Sequence, residues 1–360
     1  MTYEHLLEEL SGSGALDDRL QPAFEGAPRR RFIPPTLWVR RDRRWRRLDR
    51  AQHGSRWYPL VDSDQPLVTE LDHGNAGGPG CVTAGELAPS TVVLSLKLLG
   101  VTSGGRVLEV GTGWSTALLS ALAGGANVTS WAHSRDLAAV YRGLLRSQGH
   151  PPNVLDPDQG KATAKNALFD YILVNRAVRH SPWEWVERAR PGARIVLPLH
   201  TGLSQVSLLA LTVGPDRASA TGTFHAVARG PWELGQEDSP RGDDREEPRL
   251  SNASSSAMNM IQDPGARAFV GIQTPGFHLE HIRSAHPFDR QITERLRVHD
   301  KVGSRAVIFC RPPYLVYEWG PRSIASNVFC LLEAWKNAGS PSLADLKVSV
   351  SSSAVNVLAE

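Results

Sequence analysis

The residues with the most chemical promise lie together at Val107-Leu108-Glu109-Val110-Gly111-Thr112-Gly113. An apolar run ends in a carboxylate and a Gly-X-Gly turn, and Ser115 to Ala123 follows with helical composition. Glycines allow a sharp turn and a close approach of backbone to ligand. The start of a helix adds unpaired N–H groups and the positive end of its dipole. Glu109, Gly111, Thr112, Gly113 and Trp114 are therefore the candidate cofactor-binding residues. The competing reading is a tight strand-to-helix turn with no ligand. The third glycine of the dinucleotide pattern is missing, and Ser115 and Thr116 occupy its region. Asp158, in Asp158-Gln159-Gly160, follows a presumed third strand, where an acid meets an adenine amine; as a residue after Pro157 it is equally a turn former.

The elements that must position these groups alternate. Strands are predicted at Arg106–Val110, Asn127–Ala132, Val154–Leu155, Asp170–Val174 and Arg194–Leu199. Helices are predicted at Ser115–Ala123, Arg135–Gln148 and Trp183–Ala189. Such alternation implies an α/β fold: a mainly parallel, Rossmann-like sheet with helices on both faces. Val206–Val213 and Ala218–Val227 read as a closing antiparallel pair. Residues 1–60 form an N-terminal basic segment, with a short helix over Thr2–Leu10. Residues 61–90 are rich in turn formers and read as an ordered loop leading to a helix over Ala88–Leu99. Residues 236–265 are polar and Ser-rich and read as a flexible linker. Beyond them, 266–360 form an α+β extension, with strands at Ala306–Cys310, Tyr314–Glu318 and Leu346–Val350 and a helix at Ile324–Lys336.

Composition narrows the field. The chain has 360 residues, enough for a large core, and a net charge of only +3, which does not suggest a nucleic-acid binder. Three cysteines without metal-ligand spacing suit a reduced, cytoplasmic protein. The start, MTYEHLLEEL, lacks the basic and apolar regions of a signal peptide. No apolar run reaches the roughly 20 residues needed to span a bilayer. Neither a P-loop nor a His-Glu metal pattern is present. His73, His133, His180 and His200 are scattered and read more simply as structural histidines.

Several segments, in order, resemble the protein-L-isoaspartate O-methyltransferase family. Val107–Gly113 looks like its first cofactor motif, and the acid before the glycines is typical of methyltransferases. Ala167–Val174 is similar to its A-P-F/Y-D-x-I strand, and Arg190–Pro198 to its L-x-P-G-G-x-x-V-x-P strand. Arg31-Phe32-Ile33-Pro34 looks like the N-terminal R-x-x-F-V-P, Gln65–Thr69 like the approach to the catalytic loop, and Gly202–Gln205 like the G-x-x-Q that borders the cleft. The tail, with Glu318-Trp319-Gly320-Pro321-Arg322, is similar to that of long bacterial members associated with ribosomal peptide natural products. The resemblance implies a seven-stranded methyltransferase sheet and S-adenosyl-L-methionine as cofactor. It also implies methylation of an Asp or isoAsp carboxylate in a peptide or protein, with no metal. Thr83 is the candidate catalytic residue on this basis.

The chain also departs from the pattern. The second strand ends in Ala132-His133 where the family has an acid for the ribose hydroxyls. Leu87 stands where a catalytic-loop Ser is expected, and Trp114 follows Gly113 directly. These changes define the alternative: a catalytically degenerate methyltransferase-fold protein that binds a peptide or a partner enzyme. Arg40, Arg41, Arg43, Arg44, Arg46, Arg47 and Arg50, beside Trp38 and Trp45, are the candidate dock for an acidic leader peptide; the competing reading is a solvated hairpin whose Arg stems cover apolar surface.

Overall fold

The computed structural model describes residues 2–42, 44–149, 151–163, 167–179, 181–231, 247–285 and 292–358. The chain opens with α1 (Tyr3–Gly12), whose N-terminus is capped by the Thr2 hydroxyl accepting from the His5 N–H, and α2 (Gln21–Gly26). A hairpin follows, β1 (Thr36–Arg41) and β2 (Arg44–Asp49), then α3 (Arg50–Val61), β3 (Leu67–Leu71) and β4 (Val82–Glu86). These strands make an antiparallel sheet in the order β2-β1-β3-β4. Part of the expected loop over 61–90 is thus two strands. The turn formers at 74–80 occupy the connection between them, and the strands themselves are short and carry Thr, Gly and Glu.

The central unit runs α4 (Pro89–Leu99), β5 (Val107–Val110), α5 (Trp114–Ala123), β6 (Val128–Trp131), α6 (Arg135–Ser147), β7 (Asn153–Leu155), α7 (Pro157–Thr163), β8 (Phe169–Val174), α8 (Trp183–Val186), β9 (Ala189–Leu199), β10 (Ser207–Val213) and β11 (Ala220–Val227). Pro89 fits the first turn of α4, where no intrahelical N–H partner is needed, and Gly100, at φ 61°, ends it. The extension comprises β12 (Arg249–Asn252), α9 (Ser255–Met260), α10 (Pro264–Gln273), β13 (His278–Ala285), β14 (Ile292–His299), β15 (Arg305–Phe309), β16 (Leu315–Trp319), α11 (Ile324–Asn337), β17 (Lys347–Val350) and β18 (Val355–Val357). The expected linker is folded from Arg249 on: β12 pairs with β16, and α9 and α10 are capped by Ser254 and Asp263. Residues 236–246 of that expectation lie outside the described residues.

The main sheet has nine strands, in the order β18-β17-β11-β10-β9-β8-β5-β6-β7. Seven match the expected methyltransferase sheet, and the C-terminal tail adds two. Pairing is parallel from β9 through β7 and antiparallel elsewhere. The chain order reverses between β5 and β8, so the carboxyl ends of these two strands form the topological switch point, where open α/β sheets bind ligands. The N-terminal segment is not a separate unit. Leu6, Leu20, Phe24 and Trp57 share one apolar core with Trp114, Leu118 and Val128.

Candidate active site

At the switch point Gly111 leaves β5 with φ 103°, a conformation glycine adopts at little cost. Asn175 leaves β8 beside it, its N–H bonded to the Val110 carbonyl at 2.8 Å. Glu109 is wholly buried beneath them. Its carboxylate accepts from Ser115 (2.5 Å), Thr116, Ser130 (2.8 Å) and the Asn175 Nδ2 (3.0 Å). Thr112 joins this network, its hydroxyl accepting from Ser130 at 2.7 Å. Glu109 therefore organises the turn from below.

Burial outweighs the Ser115, Thr116 and Ser130 hydroxyls and pushes the Glu109 carboxyl up to about 7. The folded state then holds a proton that the unfolded chain releases near 4.5, so this contribution to stability is complete below pH 4.5 and lost as pH rises through 7. Unfolding free energy is expected to fall by roughly 3 kcal/mol over that window on account of Glu109. Glu109→Gln should flatten the decline in urea denaturation at pH 5 against pH 8; an unchanged slope would remove Glu109 as its source.

Asn175 is the member sequence reading missed. Its Nδ2 donates to Glu109, to the Ser115 hydroxyl (2.9 Å) and to the Gly111 carbonyl (3.3 Å). Its Oδ1 must then face the other way, and it is buried with no hydrogen-bond partner among the described residues. Asn175 lines a cavity of about 160 Å³ with Thr83, Gly85, His133, Arg176 and Arg179. The His133 ring lies over the glycine turn, 3.0 Å from where a Gly111 Cβ would stand. Burial, and then Arg176, lowers its pKa to about 4, so it is neutral near pH 7.

The predicted site residues divide. Glu109, Gly111 and Thr112 meet at the switch point with Asn175. Thr83 lines the cavity, but its hydroxyl donates to Glu70 at 2.9 Å and accepts from the His73 N–H at 2.9 Å. Glu70 also accepts from Ser134, the cap of α6, at 2.8 Å. Trp114 does not turn its indole to the cleft. The ring is fully buried against Phe24, its Nε1–H donating to the Ala27 carbonyl at 2.8 Å. Gly113 faces Glu86, whose carboxylate oxygen lies 2.0 Å from where a Cβ would stand. Glu86 accepts from the Trp114 N–H at 3.3 Å and from the Tyr141 hydroxyl at 2.8 Å, so the chain places its own carboxylate at the start of α5. Asp158 sits at the exposed start of α7, paired with Arg135 at 2.5 Å. His180 lies outside the described residues.

The comparisons now bear on this geometry. Residues 81–215, which hold the whole switch point, match the family model for protein-L-isoaspartate(D-aspartate) O-methyltransferase. A protein-L-isoaspartate O-methyltransferase of Anaeromyxobacter dehalogenans (strain 2CP-C) is 37% identical over 215 residues, 59% of this chain and 87% of the relative. The chain belongs to the protein-L-isoaspartate O-methyltransferase family. A second relative with that name, from Christiangramia forsetii, is 32% identical over 123 residues, and the match spans 57% of its length and 33% of this chain. A solved structure named protein-L-isoaspartate O-methyltransferase aligns over 100% of both chains with a TM-score of 0.55 at 18% identity, a likeness of fold. The family match ends at residue 215, so the β12–β18 extension lies beyond it. Among the described residues no cluster of His, Cys, Asp or Glu could hold a metal, and no helix is long and apolar enough to cross a membrane.

Proposed function

We propose that the chain transfers a methyl group from S-adenosyl-L-methionine to a carboxylate of an Asp or isoAsp residue in a peptide or protein. The observation that carries this reading is the Asn175 Oδ1, a buried acceptor lacking a partner among the described residues, beside Gly111 at the switch point. That atom fits the α-ammonium of the cofactor, and Gly111 leaves the turn backbone within reach. The 160 Å³ cavity is small against the roughly 300–1,000 Å³ of typical ligand pockets, and the His133 ring is one of its walls. Family membership favours the catalytic reading over that of a degenerate peptide-binding relative.

The cofactor supplies an electrophilic methyl group on a sulfonium. The protein's own task is to bring a carboxylate in line with it and exclude water, and orientation of this kind supplies much of the rate. An acceptor carboxylate is already ionised near pH 7, so no general base is needed. Arg176, which also pairs with Glu184 at 3.8 Å, lines the cavity on the side where the carboxylate would enter. Thr83 borders it there and must release Glu70 to donate to a substrate. Glu109 and Thr112 hold the turn, and Asp158 marks the side of the sheet where an adenine amine would be read.

The basic hairpin supports a second contact with the substrate. Arg41, Arg46, Arg47 and Arg56 line a groove of about 400 Å³ that suits an acidic leader segment. Arg43 lies outside the described residues. Three free thiols suit the reducing cytoplasm as the place of action.

Calorimetric titration with S-adenosyl-L-methionine tests the reading. A micromolar dissociation constant, about −8 kcal/mol, is expected. Absence of heat at millimolar cofactor would sink it.

A further inference from the structure

Glu70, on β3, is buried, and its side-chain partners are hydroxyls alone. Thr83 donates to one carboxylate oxygen at 2.9 Å and Ser134 to the other at 2.8 Å. Among the described residues no Lys, Arg or His pairs with it. Buried acids are ordinarily paired with a cation, so a carboxylate held by two neutral donors has capacity to spare. The ladder around Glu70 is bent on both sides. Val68 pairs with Gly85 and Glu70 with Ala84, which skips Thr69; Leu71 pairs with Val82, which skips Thr83. Irregularities of this kind re-aim side chains beside binding sites.

The carboxylate is brought to the end of β6. Ser134 caps α6 directly after Ala132 and His133. The Gly111 N–H bonds the Trp131 carbonyl at 2.9 Å, which sets this strand end beside the glycine turn. Thr83 and His133 both line the 160 Å³ cavity, so Glu70 stands one hydroxyl behind its wall. In nucleotide-binding sheets of this kind, a carboxylate about 20 residues beyond the first glycine accepts a ribose hydroxyl. That place is held here by Ala132, which is buried and offers no acceptor. One strand lacks the acid, and another carries an acid to the same corner of the fold.

We propose that Glu70 accepts the ribose hydroxyls of the cofactor, supplying from β3 the carboxylate that β6 lacks. A diol suits it, because one pair of neutral O–H donors replaces another and no charge is moved. The diol also takes over the oxygen now held by Thr83, which frees that hydroxyl for the acceptor carboxylate.

This rests on the methyltransferase reading for its ligand, and the test separates the two. Calorimetry with the full chain compares S-adenosyl-L-homocysteine with its 2′,3′-dideoxyribose analogue. The unaltered chain should bind the analogue about a hundredfold more weakly, since both hydroxyls are gone. Glu70→Gln should weaken binding of the parent about tenfold and leave the analogue unchanged. Thr83→Val keeps the shape and removes the donor that competes for Glu70. It should tighten binding of the parent about threefold and leave the analogue unchanged. Equal affinity of the unaltered chain for the two ligands overturns the proposal and leaves the methyltransferase reading in place. So does discrimination that survives Glu70→Gln undiminished. Should Glu70→Gln fail to fold, Thr83→Val decides alone, and an unchanged parent affinity overturns the proposal. Absence of any binding by the parent overturns both readings.

Discussion

Replacing Arg29 by methionine is expected to lower the unfolding free energy by about 3–5 kcal/mol in urea denaturation at pH 7. Arg29 is wholly buried. Its guanidinium donates to the carbonyls of Val61 (3.1 Å), Ser63 (3.2 Å), Gln65 (3.1 Å) and Leu87 (2.9 Å), and lies 5.5 Å from the Trp114 ring. Burial lowers its pKa only to about 10, with Glu86 the largest opposing influence, so it stays charged at neutral pH. Methionine keeps much of the volume but removes every donor and takes away the cation that opposes the burial of the Glu86 carboxylate. The double variant Arg29→Met/Glu86→Gln should lose less than the two single losses combined, because the stranded charge has gone as well. A loss below 1 kcal/mol for Arg29→Met would contradict this account. Arg29 also links stability to function, since it ties the approach to the switch point (Gln65, Leu87) to the N-terminal segment.

The cofactor turn was legible in the sequence because its signal is local. A four-residue apolar strand, a glycine turn and a helix follow one another within 17 residues, Val107 to Ala123. Glu86 and Arg29 were not legible, because buried charges make sense only with partners. Glu86 meets Tyr141, and Arg29 meets Leu87, across sequence separations of 55 and 58 residues. Arg29 stands three residues before Phe32, which is the R-x-x-F spacing of the family motif. The segment Arg31–Pro34 matched to that motif leaves Arg29 out. The strands β3 and β4 were hidden for another reason: Thr, Glu and Gly within them weaken the β signal, and the glycine-rich connection dominates the window. The segment after Arg249 reads as a linker because β12 is an edge strand exposed along its length, so no apolar alternation marks it. The caps Ser254 and Asp263 were the available signal there. Trp114 shows the limit of motif alignment. Its position in the loop made it a candidate cofactor-binding residue, but Phe24 and the Ala27 carbonyl take the indole into the core instead.

Asn175→Ala is expected to weaken cofactor binding about ten- to hundredfold, the range of one hydrogen bond to a charged group. The Nδ2 contacts of Asn175 leave its Oδ1 buried and without a partner among the described residues, in a side chain that lines the cavity, and alanine offers no acceptor there. An α-ammonium is present in S-adenosyl-L-methionine and in its demethylated product alike, so calorimetry should show the same loss for both ligands. The same logic predicts a kinetic split. The ammonium is bound equally in the ground and transition states, so KM for the cofactor should rise while kcat changes little. Ser115→Ala provides the control, because it removes one Nδ2 acceptor and leaves Oδ1 in place; its effect on cofactor affinity should be several-fold smaller. Unaltered affinity in Asn175→Ala would show that Oδ1 does not meet the ammonium. A loss confined to kcat would instead place Asn175 among the groups that orient the acceptor carboxylate.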